Sequence, residues 1–153
     1  MAQFPFILST EARELSDEVR ELFVDLAATL PPEQRAYSGE CHPTLDVLET
    51  DEAVEVLVDV SGIPATALRI VFRAGVLLIA GEKAPPRTSE DSTFHLVERE
   101  FGRFARAVRL TGAFDVGAAR ASVDEGELTI VLPKLIERRD QPHRIVIATG
   151  PSA

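Results

Sequence analysis

The alternation of apolar and polar residues between Ala53 and Val60 is the feature that most restricts how this chain folds. Every second residue from 54 to 60 is a valine, whereas Glu55 and Asp59 occupy positions of the other parity. Successive side chains of a strand point to opposite faces of a sheet, so this stretch has one apolar and one polar face. The pattern predicts a half-buried strand of an antiparallel sheet.

Further short strands are predicted along the chain. An apolar row at 68, 70 and 72 alternates with Arg69 and Arg73, an apolar run opens the stretch 76–83, and apolar residues at 128, 130 and 132 precede Pro133. Turns that contain glycine or proline separate these stretches. Repeated short strands without crossover helices predict an all-β antiparallel sandwich.

Residues 9–30 have a helical pattern instead. Ser9 or Thr10 can cap the start, and Pro31-Pro32 ends the helix, because proline supplies no amide donor and disfavours helical geometry in the residue before it. The apolar residues recur at three- and four-residue steps and form one face: Leu15, Val19, Leu22, Phe23 and Leu26. We expect this face to pack on the domain or on another subunit.

The composition limits the partners of the chain. Sixteen basic against 25 acidic residues leave a formal charge of −9, which opposes attraction to nucleic acid or to an anionic membrane. A single cysteine allows no disulfide within the chain and fits a reducing compartment. The start lacks a basic region, and nowhere do about 18 uncharged apolar residues follow one another. We expect a soluble, cytoplasmic protein with no nucleic-acid or membrane partner.

Motifs of known enzyme classes are absent from the sequence. There is no glycine-rich phosphate loop and no Gly-x-Ser-x-Gly elbow, so ATP use is not indicated. Cys41-His42 with Asp46 is a weak metal set, because His95 and His143 lie elsewhere and no Cys-x-x-Cys pair exists. Ser38-Gly39-Glu40 is typical of a linker, which makes Cys41 a poor nucleophile. We expect no catalytic residue, no cofactor and no metal.

The end of the predicted domain carries a specific family signature. Ala121, Gly126, Leu128 and the pair Pro133-Lys134 match the last strands of the alpha-crystallin domain, although Glu127 replaces the usual valine. Two other stretches agree with the same family: the opening Pro-x-x-Asp-x-x-Glu at 43–49 and the Gly-Val-Leu-x-Ile-x-Gly strand at 75–81. The chain therefore resembles the small heat-shock protein family, of the bacterial type.

The resemblance implies an immunoglobulin-like sandwich over 43–134, preceded by an arm at 1–42 and followed by a tail at 135–153. The polar stretch 84–93 is predicted to be an exposed loop that carries a strand to a neighbouring subunit, which makes a dimer. The residues of this dimer-swap strand are Phe94, His95, Leu96, Val97, Glu98 and Arg99. A surface hairpin within one chain is the alternative.

Arg106 shares the apolar parity of Phe104, Val108 and Leu110, and an unpaired guanidinium on that side would be costly. The resemblance places Arg106 near the dimer interface, with a carboxylate or a backbone carbonyl as its partner. The alternative is a bulged or bent strand whose arginine reaches water.

The tail contains Ile145, Val146 and Ile147, about ten residues after Lys134. The two isoleucines project to the same side of an extended segment and can enter one groove. By resemblance to the Ile-x-Ile motif, this segment would dock between two sandwich strands of another subunit, and the alternative is a tail strand on its own domain. The predicted groove residues are Leu68, Ile70, Phe72, Ala119, Ala121 and Val123.

The family implies an ATP-independent holdase, a chaperone that binds partly unfolded proteins and prevents their aggregation under heat or other stress. The arm would then offer its apolar face to these client proteins, and homodimers would assemble into larger homo-oligomers. A co-chaperone or interaction module of the CS type shares the sandwich and is the alternative, but it lacks the long loop and the isoleucine tail.

Overall fold

The computed structural model describes residues 11–36, 38–135, 142, 144–148 and 150, with the helix side chains described from residue 16. Over these described residues, one α-helix, α1 (Glu11–Thr29), precedes seven strands. The strands are β1 (Leu45–Glu49), β2 (Ala53–Asp59), β3 (Leu68–Arg73), β4 (Val76–Lys83), β5 (Gly102–Arg109), β6 (Arg120–Asp124) and β7 (Glu127–Pro133). They form two antiparallel sheets, one in the order β1-β2-β7-β6 and the other in the order β3-β4-β5.

The predicted sandwich is confirmed, and its core lies between the two sheets. The register between β2 and β7 sets Val54 opposite Leu132 and Val56 opposite Ile130, so apolar residues of equal parity meet on one face. Those side chains are buried together with Leu77 and Ile79 of the other sheet. The valine alternation read from the sequence therefore places one face of the four-stranded sheet in the core.

Helix α1 covers the opposite, outer face of the three-stranded sheet. The register sets Arg69 opposite Ala80, and Leu78 and Ala80 are buried although their parity points away from the sandwich core. Asp25 of α1 contacts Arg69 on this same face. The arm thus packs on its own domain, and it fully buries Leu26.

Several predicted boundaries differ from the observed ones. The predicted strand at 119–123 runs over Arg120–Asp124, because Ala119 ends a 3-10 turn at Val116–Ala118. The segment Ser38-Gly39-Glu40 is not a free linker, since Glu40 pairs with Arg103 in a parallel bridge and Cys41 is buried. The linker was predicted from small and polar residues, and a glycine among them also lets two backbones pass in direct contact.

Candidate assembly and client-binding surfaces

The two sheets leave strand edges open to other chains. Within the residues that the structure describes, β1 pairs with β2 alone, β6 with β7 alone and β3 with β4 alone. The far edge of β5 is covered at its start, where Cys41 N donates to Arg103 O at 3.2 Å. An exposed edge presents amides and carbonyls that a further strand can satisfy, so β1, β3 and β6 are candidates for strand addition.

The predicted tail groove falls between two of these edges, β3 and β6. Ile70, Phe72 and Val123 are half-buried against the core, and Leu68 is buried. Ala121 is exposed on β6, and Ala119 lies just before that strand. Leu68, Ile70, Phe72 and Val123 thus all pack on one apolar cluster, and docking of the tail between the two strands stays a prediction.

Phe114 is a groove-side residue that the sequence reasoning missed. Its ring packs edge-on against Phe72, with 5.7 Å between the centroids and an interplanar angle of 88°. Phe114 is buried and also forms a bridge to Lys134 after the last strand. A lone phenylalanine in an otherwise small and polar stretch was the available signal, because such a residue seldom lies there without a packing partner.

The isoleucine segment of the tail contacts no strand in the described part of the chain. Ile145, Val146 and Ile147 are 86–89% exposed. Residues 144–148 form no strand on their own domain, which was the alternative. Three consecutive apolar side chains in water are a surface that another molecule can cover.

The predicted swap segment is also exposed. Residues 84–100 form no strand in this chain, and Phe94, Leu96 and Val97 expose more than half of their surface. The same residues, with Pro85 and Phe101, line an open cavity of about 730 Å³. A hairpin within the chain is not formed over these described residues, and pairing with a neighbour stays a prediction.

Arg106 lies on the apolar side of β5, and its charge is paired with a backbone carbonyl. Its Nη1 donates to the carbonyl oxygen of Pro43 at 2.7 Å, and the side chain is half-buried on the same face as Phe104 and Val108. The ladder between β4 and β5 is continuous from Gly102 to Arg109, so β5 has no bulge at Arg106. The position of Arg106 at a dimer interface remains a prediction.

The apolar face of α1 is turned toward its own domain. Leu26 is fully buried, and Phe23 is half-buried and packs against the buried apolar cluster. Val19 and Leu22 are half-buried, and the side chain of Leu15 lies outside the described residues. Packing of this face on the domain is thus observed, whereas client binding by the arm stays a prediction.

A buried carboxylate, which the sequence reasoning also missed, joins the arm to the sheet. Glu82 is 1% exposed, and its two oxygens accept from Arg103 Nε at 2.9 Å and from Ala36 N at 3.0 Å. The Arg103 guanidinium in turn lies 5.1 Å from the centroid of the Phe23 ring. A charged residue inside the run 76–83, on the parity of Ala80, was the available signal.

Cys41 is a buried thiol whose Sγ lies 3.3 Å from the carbonyl oxygen of Gly102. Burial raises the pKa of the Cys41 thiol, nearby Lys83 opposes this shift and Glu100 adds to it. A thiol with a raised pKa is a poor nucleophile. Among the described residues, no group of three or more histidine, cysteine or acidic side chains could hold a metal ion, and no helix is long and apolar enough to cross a membrane.

Comparison with known proteins gives a consistent result. The Hsp20/alpha crystallin family matches residues 46–148. Heat shock protein 16 of Schizosaccharomyces pombe is 30% identical over 131 residues, which cover 84% of this chain and 91% of that protein.

Two solved structures share the fold. Heat shock protein 16.0 of Schizosaccharomyces pombe aligns at 30% identity with a TM-score of 0.61, over 71% of this chain and 100% of that one. A small heat-shock protein of Xylella fastidiosa, described as having a distinct high order structure, aligns at 28% identity with a TM-score of 0.62, over 71% and 98%. This chain belongs to the Hsp20/alpha-crystallin family of small heat-shock proteins.

Proposed function

We propose that this chain is an ATP-independent holdase, which binds partly unfolded proteins and prevents their aggregation under heat or other stress. Membership of the Hsp20/alpha-crystallin family supports a chaperone role. The observation that carries the proposal is that two apolar segments, at 94–97 and at 145–147, are exposed in the single chain. Oligomers would store these surfaces against one another, and heating or subunit exchange would release them. Its single cysteine suits a reducing compartment, and the cytoplasm is the compartment that we assign.

The mechanism would be competition for apolar surface. Partly unfolded proteins aggregate because their exposed apolar patches meet one another. A chaperone that covers these patches with its own apolar segments lowers the concentration of free patches by binding alone, without ATP hydrolysis. Contacts of this kind are weak and numerous, so they give breadth of binding rather than specificity for one sequence.

The direct test measures light scattering of a client protein that is heated or reduced, with this chain and no ATP. We expect scattering to fall as the mass ratio of this chain to the client approaches one. An equal mass of an inert globular protein is the control. Unchanged aggregation at equal mass refutes the holdase function.

For assembly, we infer a homodimer built by strand exchange between neighbouring chains. The segment 94–99 would add to the open edge of β1, which would satisfy the unpaired groups of that edge and cover Phe94, Leu96 and Val97. Cysteine pairs that replace Val97 and Leu45 should cross-link one subunit to the other in the intact oligomer. If every cross-linked product is a monomer, the exchanged strand is wrong.

Larger homo-oligomers would form when the tail of one dimer enters the groove between β3 and β6 of another. Ile145 and Ile147 point to one side of an extended segment and Val146 to the other. Changing both isoleucines to alanine should therefore shrink the particle toward dimers on a sizing column. Val146→Ala is the matched control and should leave the particle unchanged. A particle of wild-type size in the double variant excludes this role of the tail.

A further inference from the structure

The loop cavity, the open space between the segment 84–101 and the rest of the domain, has an apolar wall. Its volume of about 730 Å³ lies in the range of clefts that bind small molecules. The wall is formed by apolar side chains of the exposed segment, by the phenylalanine that follows it and by two prolines: Phe94, Leu96, Val97, Phe101, Pro64 and Pro85. A wall of this composition gains free energy when a hydrocarbon chain covers it.

Two cations of the same cavity converge on the turn that contains Gly62. A Cβ on Gly62 would lie 4.0 Å from Lys83 Nζ and 3.6 Å from Arg99 Nη2, so both groups reach toward one point. Over the described residues, neither of these side chains forms an ion pair or a hydrogen bond. Like charges that meet without a counter-ion repel one another, and an anion bound between them removes this repulsion.

The acidic residues of the cavity do not neutralise this pair of cations. Glu33 and Glu98 are exposed and form no ion pair in the described part of the chain. Glu100 is engaged elsewhere, because its Oε2 accepts from the amide of His42 at 3.1 Å and lies 3.5 Å from His42 Nδ1. The charge at the Gly62 turn is therefore left for a ligand, although the chain as a whole carries −9.

Shape and charge together select a ligand with one anionic head and one hydrocarbon chain. An inorganic anion would leave the apolar wall uncovered, and an uncharged hydrocarbon would leave the two cations unpaired. The net charge of −9 opposes approach to an anionic membrane surface, which meets the whole protein. A single molecule inside the cavity is governed by the nearby cations, since salt screens charges farther away than about 10 Å.

We propose that the loop cavity binds a long-chain fatty-acid anion, with its carboxylate between Lys83 and Arg99 and its hydrocarbon chain over Phe94 and Leu96. The bound molecule holds the segment 94–99 on its own domain. It therefore competes with the proposed strand exchange, and this consequence for assembly rests on that proposal. A ligand that binds one of two forms shifts the population toward that form by mass action.

Binding is measured by isothermal titration calorimetry of the full chain with dodecanoate, below its micelle concentration. Dodecyltrimethylammonium is the control of opposite charge and equal chain length, and butanoate has the same head without the long chain. We expect each control to bind at least about tenfold more weakly than dodecanoate, because it lacks either the charge contacts or the apolar contact. Phosphatidylglycerol vesicles present anionic lipid as a surface and should not bind.

Variants locate the ligand within the cavity. Lys83→Met with Arg99→Met keeps the aliphatic stems and should weaken dodecanoate binding by about tenfold, since two partly exposed charge contacts are worth roughly that factor. Arg20→Met with Arg120→Met is the matched control, because both arginines are exposed, neither lines the cavity and the net charge changes equally. Thermal unfolding checks that the variants fold. Arg99→Met alone, at an exposed position, should weaken binding by about threefold.

The inference is overturned if dodecanoate does not bind wild type, if it binds no better than dodecyltrimethylammonium, or if the methionine variants at 83 and 99 match the control variant. Vesicle binding as strong as that of dodecanoate would also overturn it, in favour of a membrane surface.

The consequence for assembly has its own measurement. Saturating dodecanoate should raise the fraction of single chains on a sizing column for wild type, but not for Lys83→Met with Arg99→Met. An unchanged fraction for wild type refutes competition with strand exchange. If wild type is a single chain without any ligand, the proposed strand exchange is refuted instead, and calorimetry alone decides whether the loop cavity binds the fatty acid.

Discussion

The buried carboxylate of Glu82 makes a quantitative prediction about how the arm is held. Arg103→Met keeps the aliphatic stem of the side chain and removes the guanidinium, so Glu82 keeps the amide of Ala36 as its hydrogen-bond partner and loses its counter-charge. Removing one partner of a buried pair costs about 3–5 kcal/mol. The Arg103 side chain is 48% exposed, and screening by water places the expected cost near the lower end, at about 3 kcal/mol.

A second variant separates the ion pair from other effects of the substitution. Glu82→Gln combined with Arg103→Met removes both charges and keeps an oxygen acceptor for Ala36. We expect this double variant to cost only about 1 kcal/mol, because an uncharged pair leaves no unpaired charge in the protein interior. The double variant should thus be about 2 kcal/mol more stable than Arg103→Met alone.

The free energy of unfolding is measured by urea denaturation of the full chain, at one fixed protein concentration because assembly shifts apparent stability. Arg20→Met is the matched control, since Arg20 pairs only at the surface with Asp17, and it should change stability by less than about 0.5 kcal/mol. The contribution of the Glu82–Arg103 ion pair is refuted if Arg103→Met is as mild as this control. It is refuted equally if adding Glu82→Gln brings no recovery.

Three further predictions concern the arm and its crossing. Leu26→Ala should lower the free energy of unfolding by about 2–5 kcal/mol, because Leu26 is fully buried. Val24→Ala is the control, since Val24 is exposed on the same helix and should change this free energy little. Equal effects of the two substitutions in urea denaturation would contradict docking of α1. Gly102→Ala should lower the free energy of unfolding by about 2 kcal/mol or more, because the new methyl group displaces the backbone of Gly39. It should also speed hydrogen exchange at the Cys41 amide, which bonds to Arg103 O beside this contact. Exchange of the Cys41 amide at the wild-type rate would exclude the close contact between Gly39 and Gly102. The raised pKa of Cys41 means that the folded state keeps its proton longer than the unfolded state, so stability is unaffected at low pH and falls as the pH rises past about 9. Urea denaturation at several pH values across that range should show that the free energy of unfolding falls less steeply with pH in Cys41→Ala than in wild type. Identical slopes in the two proteins would disprove the contribution of the Cys41 thiol.

The sandwich was predictable because its strands obey a two-residue period. The valines at 54–60 and the apolar residues at 128–132 share the parity that the β2–β7 register brings face to face. Pro133 marks the end of the last strand, as the sequence suggested. Local patterns of this kind decide which residues are buried, and therefore which strands can form one core.

The edges and the arm were less predictable, since they depend on contacts between residues far apart in the chain. The linker at 38–40 carried only small and polar residues, and nothing local showed that Gly39 would cross Gly102. Glu82 was hidden for a similar reason, because its partners Ala36 and Arg103 are 46 and 21 positions away. Periodicity gives the face of a residue, but it does not give its distant partner.

Contacts between subunits leave no periodic pattern in the sequence of one chain. The tail at 145–147 and the segment at 94–97 are exposed here, and their partners were inferred from the family resemblance rather than from a pattern. Arg106 is the intermediate case, since its parity predicted the need for a partner and the carbonyl of Pro43 provides one.

The holdase function is tested most directly by recovering a client in soluble complex with this chain. A thermolabile client is heated with the full chain in the absence of nucleotide, and the supernatant is separated by size and analysed for both proteins. We expect the client to elute with this chain in a large soluble particle, and added ATP should change nothing. A client that pellets alone, or that stays soluble only with ATP, would contradict it.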